Sequence, residues 1–158
     1  MKLTYRETLD GISPETLAGF FVGWPNPPAA ETHLRLLLGS SAVILAVDED
    51  AGRVVGFVTA LTDGVLTAFL PLLEVLPAYQ GQGIGRELVR RMLARLNHLY
   101  SIDLVCDEEL IPFYEGLGFQ PGRAMLLRNY RNQRGGLEAR LEVKAARFRS
   151  KSTTLTGT

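Results

Sequence analysis

The stretch Leu73-Glu-Val-Leu-Pro-Ala-Tyr-Gln80-Gly-Gln-Gly-Ile-Gly85-Arg-Glu-Leu88 constrains this chain more than any other. An apolar strand-like run ends near Val75, Pro77 breaks it, and a loop follows with Gly81, Gly83 and Gly85 at alternate positions. A helix then begins near Ile84, with Leu88, Val89, Met92, Leu93, Leu96 and Leu99 recurring at helical spacing. Glycines at this spacing let the backbone approach a ligand and turn its N–H groups outward. The helix start adds unpaired amides and the positive end of its dipole. The combination predicts a phosphate cradle.

Two common cradles do not fit the spelling. The P-loop run G-x-x-x-x-G-K-[ST] is absent, and a G-x-G-x-x-G dinucleotide turn would place its third glycine where Arg86 stands. The order Gln80-x-x-Gly83-x-Gly85 instead resembles the acyl-CoA-binding motif [RQ]-x-x-G-x-[GA] of the GNAT acyltransferase superfamily. Downstream, Phe113-Tyr-Glu-Gly-Leu-Gly-Phe119 is similar to the F-Y-x-x-x-G-F signature that closes the same domain. The resemblance covers roughly residues 2–128.

The rest of the chain reads as a mixed α/β (α+β) pattern. Short strands are expected at Lys2–Arg6, Ala42–Val47 and Arg53–Leu61, with the last two joined as a hairpin. Thr62-Asp63-Gly64 is a turn signal, and Val65–Val75 reads as one long strand that Pro71 must bulge or leave unpaired. Ser101–Cys106 should run parallel to it, because a helix crosses between them. Ser13-Pro14-Glu15 opens a helix expected to carry Leu17, Phe20 and Phe21. A second helix is expected over about Ala29–Leu38, a short one around Phe113–Leu117, and a last strand over Arg123–Arg128. The resemblance implies a GNAT fold over residues 1–130: a mixed, mostly antiparallel sheet with a splayed central parallel pair, flanked by helices. Residues 131–158 read as a tail, a weak helix over Leu137–Phe148 followed by a polar, disordered end.

By resemblance, an acyl-CoA arm enters the splay. Backbone groups of Leu73 and Val75 would bond the acetyl and pantetheine groups. The amides from Gln80 through Gly81, Gln82, Gly83, Ile84 and Gly85 would take the pyrophosphate, with Arg86 near it. Tyr114 would protonate the leaving thiolate, since a phenol keeps its proton at neutral pH. Glu74, on the strand beside the acetyl site, is the candidate base, although alternation points it away from Leu73 and Val75. Where many members carry an Asn that bonds pantetheine, this chain has Asp107, which when ionised accepts but cannot donate. Trp24, on the rigid loop Gly23–Pro28, is the candidate acceptor-site residue. The implied reaction is direct transfer of an acetyl group from acetyl-CoA to a primary amine. The alternative is an acyl-CoA sensor without turnover.

Composition narrows the partners. The chain has 158 residues, 46% hydrophobic and 22% charged, which fits one globular domain. Seventeen basic residues balance seventeen acidic ones, so nucleic acid is not the expected partner. One cysteine, Cys106, and two histidines give no expectation of a metal or a disulfide. No apolar run reaches the ~18 residues of a membrane span, and the N-terminal residues lack a signal core. The reading is a cytoplasmic protein with an amine substrate. A homodimer is compatible with the family, and the acceptor's identity is not written in the sequence.

Overall fold

The computed structural model describes residues 1–135. The strands β1 (Leu3–Arg6), β2 (Ala42–Asp48), β3 (Arg53–Thr62), β4 (Thr67–Leu70), β5 (Leu73–Val75) and β6 (Ser101–Leu104) form one sheet in the order β1-β2-β3-β4-β6, with β5 also on β3. All pairings are antiparallel except β4 with β6, which are parallel and in register from Thr67↔Ser101 to Leu70↔Leu104. This is the mixed, mostly antiparallel sheet expected from the short turns and the single crossover.

Helices cover both faces, and the strands show it. β2 is buried at every position, because a strand sandwiched between two layers has no solvent side. On one face α2 (Ile84–Arg95) lays Ile84, Leu88 and Met92 against Ile44, Val55 and Val58. On the other, α1 (Ala30–Gly39) and the 3-10 turn Pro14–Leu17 bring Leu37, Leu17, Phe20 and Phe21 onto Leu45 and Phe57. Gly56 lets α2 come close: a Cβ there would lie 3.1 Å from Leu88 and 3.2 Å from Val75. The helix α3 (Ile111–Glu115) has Pro112 in its first turn, and Gly118 follows in the left-handed region at φ 95°.

Three elements differ from expectation. The long strand Val65–Val75 is divided at Pro71 into β4 and β5. Proline has no N–H for the ladder, so the two halves take separate stretches of β3. The helix expected after Ser13 is a single 3-10 turn, followed by Ala18 in extended backbone and Gly19 at φ 95°. Residues 123–128 form no strand, and Met125 and Leu127 are exposed. The run Arg123-Ala-Met-Leu-Leu-Arg128 holds no β-branched or aromatic residue, and it pairs with no strand among the described residues. A 3-10 turn at Tyr130–Asn132 then brings the chain back to α1, where Arg35 donates to the Gly135 carbonyl at 3.0 Å. The expected helix over 137–148 and the polar end lie outside the described residues.

Candidate active site

β5 is only three residues long, and every feature of the site is tied to it. Pairing between β4 and β6 stops at Leu70↔Leu104, while β5 bends away and pairs with β3 alone. The chain beyond β6, Val105 to Asp107, therefore has no ladder partner in β5, and the central parallel strands part there. Leu73 and Val75 lie along one side of this gap.

The glycine loop stands at the gap's end. A 3-10 turn, Pro77–Tyr79, leads into it, and the Gln80 side chain donates to the Val75 carbonyl at 2.9 Å, fixing the loop to β5. Gly81 and Gly83 both adopt left-handed backbone, at φ 73° and 81°, and a Cβ on either would meet nothing within 4 Å. Their role is conformational. Gly83 is the N-cap of α2 and brings no side chain to cover its end. The first α2 bond runs from the Glu87 amide to the Gly83 carbonyl at 3.0 Å, and the amides from Gly81 to Arg86 have no acceptor among the described residues. Six consecutive donors around a helix N-terminus suit an anion of phosphate chemistry. These residues fit the pyrophosphate of an acyl-CoA.

Arg86 faces elsewhere. Its guanidinium donates to the Gly116 carbonyl at 3.0 Å and lies 5.7 Å from the centre of the Phe113 ring, joining the start of α2 to α3. Arg90 and Arg91 pair with Glu87 at 2.7 Å, and Arg95 with Glu7 at 3.2 Å. Hydrogen bonding from Arg90, then Arg91, draws the Glu87 carboxyl down to about 2. These arginines form a solvent-facing ion-pair network.

Tyr114 is nearly buried, edge-on to Phe113 at 4.9 Å and to Phe119 at 5.7 Å. Burial, with a smaller contribution from the neighbouring Cys106, pushes its hydroxyl up to about 12. The hydroxyl is protonated at any physiological pH and makes no hydrogen bond within the described residues. Cys106 is half-buried, less enclosed than its alternation with Ile102 and Leu104 suggests. Asp107 occupies the N-cap of a 3-10 turn but is exposed and its side chain caps nothing.

Glu74 shows what sequence alone could not. Its Oε2 accepts the Phe21 amide at 2.9 Å and its Oε1 the Val22 amide at 3.1 Å, across more than fifty residues of chain. Phe21 is the one non-glycine residue at positive φ, 62°, among those described. A bulky residue there is uncommon and must be held by its surroundings. The ring is held as well, 4.9 Å from His33 and 5.2 Å from Trp24. His33 itself is buried among Phe20, Phe21 and Phe57, and neither ring nitrogen has a hydrogen-bond partner of normal geometry. Desolvation pulls it down to about 4, and the Leu17 backbone offsets part of that.

The sequence pattern of the Acetyltransferase (GNAT) family matches residues 9–119. The chain belongs to that family. Among relatives of this GNAT chain, serotonin N-acetyltransferase 2, chloroplastic, of Oryza sativa subsp. japonica is 33% identical over 119 residues, 72% of this chain and 60% of the relative. Histone acetyltransferase TAP1 of Glycine max is 28% identical over 63% of this chain and 47% of its own length. The chain thus spans about half the length of the curated relatives it matches. Among solved structures, a Deinococcus radiodurans R1 protein assigned as an acetyltransferase is 48% identical, with a TM-score of 0.82 over 85% of this chain and 93% of that one. The parted strands and the glycine-capped helix are therefore the GNAT arrangement. No described helix is long and apolar enough to cross a membrane.

Proposed function

We propose that the chain transfers an acetyl group from acetyl-CoA directly to a primary amine. The observation that carries the reading is the parting of β4–β5 from β6 beside a helix N-terminus whose amides have no acceptor among the described residues. The amides of Gly81 to Arg86 hold the pyrophosphate. Backbone groups of Leu73 and Val75 line the thioester arm, with Gln80 keeping β5 and the loop in one piece.

The acceptor attacks as the free amine. With an alkylammonium pKa near 10.4, only about one molecule in a few thousand is unprotonated at neutral pH, so the proton must leave to solvent or a base. Glu74 is poorly suited to that task, because both oxygens already accept backbone amides. We assign it to holding the Phe21 loop. Tyr114 stabilises the leaving sulfur. A hydroxyl near 12 does not surrender its proton fully to a thiolate of pKa about 8.5, so its contribution is a donated hydrogen bond as charge builds on sulfur.

Replacing Tyr114 with Phe removes that donor and leaves the ring. Turnover should fall about a hundredfold while acetyl-CoA affinity stays within twofold, measured by CoA release and by calorimetry. Unchanged turnover removes Tyr114 from the reaction. Binding of acetyl-CoA with no CoA release toward any amine would turn the reading to a sensor.

A further inference from the structure

A cavity of about 250 Å³ opens on the α1 side of β5, walled by Phe21, Trp24, Leu36 and Leu72, with Arg35 and Gln133 at its polar margin. We propose that this cavity takes the apolar body of an aryl- or alkyl-monoamine acceptor and rejects polycationic amines. The inference rests on the transferase reading above and names its acceptor class.

Two walls are part of the site already described. Leu72 precedes β5, and its carbonyl holds the Thr59 amide at 3.0 Å. Phe21 is fixed by the bonds that its own amide and the Val22 amide donate to Glu74, whose neighbours Leu73 and Val75 border the thioester gap. A molecule seated against Phe21 and Leu72 is thus one residue removed from the strand that presents the acyl group. Since a cavity of about 150 Å³ accommodates benzene, this one has room for a ring and a short chain. The walls are preformed, because the left-handed Phe21 is held at both backbone and ring.

Charge sets the selectivity. Among the described residues no Asp or Glu lines the cavity, and the ionised side chain at its margin is the Arg35 guanidinium, held by Thr32 Oγ1 and the Gly135 carbonyl, each at 3.0 Å. A monoamine leaves its apolar end here and its nitrogen at β5. A polyamine would bring a second ammonium toward the Arg35 guanidinium, with no carboxylate among the described lining residues to meet it, which is unfavourable in a partly desolvated site.

Trp24 is the only tryptophan in the chain, so its fluorescence reports on this wall. The full chain is titrated with 2-phenylethylamine and, separately, with spermidine, and both are assayed for turnover with acetyl-CoA. Phenylethylamine should change Trp24 emission saturably and be acetylated at least tenfold more efficiently, in kcat/KM, than spermidine. Trp24→Phe should abolish the emission change. Arg35→Glu, or Arg35→Gln should the former fail to fold, should raise relative efficiency toward spermidine several-fold. Equal or better use of spermidine by the unaltered chain overturns the proposal, as does an emission that no monoamine perturbs while other amines are acetylated. In both cases acetyl-CoA still binds and transfers, so the transferase reading stands. Loss of acetyl-CoA binding itself is the separate failure of that reading.

Discussion

His33 illustrates how much a single residue can carry outside the chemistry. It is almost fully enclosed, its nitrogens unpartnered, and it is held neutral by burial down to about pH 4. Its folded pKa is depressed below the unfolded value of about 6.5, so above pH 6.5 both states are neutral and the residue adds no pH dependence. As pH falls from 6.5 toward 4, the unfolded chain takes up a proton that the folded chain refuses. Stability drops by about 2 kcal/mol by pH 5 and about 3 kcal/mol by pH 4. Urea unfolding at pH 7 and pH 5 should show that loss in the natural chain and not in His33→Leu; equal losses would mean the ring is hydrated or paired. None of this was readable in advance, since one histidine in an amphipathic helix gives no sign of three phenylalanines around it. Glu74 was equally opaque. Its position on the key strand suggested a base, whereas the Phe21 and Val22 amides that occupy it come from a distant loop. The packing of Tyr114 against Phe113 and Phe119, by contrast, was legible, because the F-Y-x-x-x-G-F spelling is local.

Legibility among the elements follows the same division between local and non-local causes. α2 was readable because a 3.6-residue apolar period writes itself into contiguous sequence, and its burial matches that stripe at Ile84, Leu88, Val89 and Met92. The division of β4 from β5 was half readable: Pro71 announced a fault, but not that each half would take its own stretch of β3. Residues 123–128 carry no β-branched or aromatic residue, so the strand expected there had little local support and depended on a partner edge that the described sheet does not supply. The glycines of the α2 cap give a direct test of what each contributes. Gly83→Ala forces a side chain into left-handed backbone and should cost about 1 kcal/mol, with weaker acetyl-CoA binding. Gly85 is helical, and a Cβ there would meet Val75 and Phe113 at ordinary distances of 3.7 and 3.8 Å. Gly85→Ala should therefore be neutral or stabilising by up to about 1 kcal/mol. Denaturant melts should show a loss for Gly83→Ala and none for Gly85→Ala, and parallel losses would mean that close packing rather than backbone conformation selects glycine at Gly85.

The molecule as a whole joins a sheet covered on both faces to a site formed where one strand leaves its neighbour. The fold positions the gap before any ligand arrives, so acetyl-CoA should stabilise the protein by simple mass action. At about a hundredfold over Kd the gain is about 2.7 kcal/mol, or roughly 5–10 °C in Tm for a domain of this size. NADH should produce no comparable shift, and one with NADH alone would reverse the assignment of the glycine loop. β5 also has a consequence for kinetics. Its backbone borders the gap where the parallel strands part, while the carboxylate of its middle residue fastens the wall of the α1-side cavity. Two substrates that both bear on the same three residues should not bind independently. Linkage requires the effect to be reciprocal: whatever factor a monoamine analogue adds to CoA affinity, CoA must add to the analogue's. That factor should collapse toward one in Glu74→Ala, where the strand and the loop are no longer fastened together.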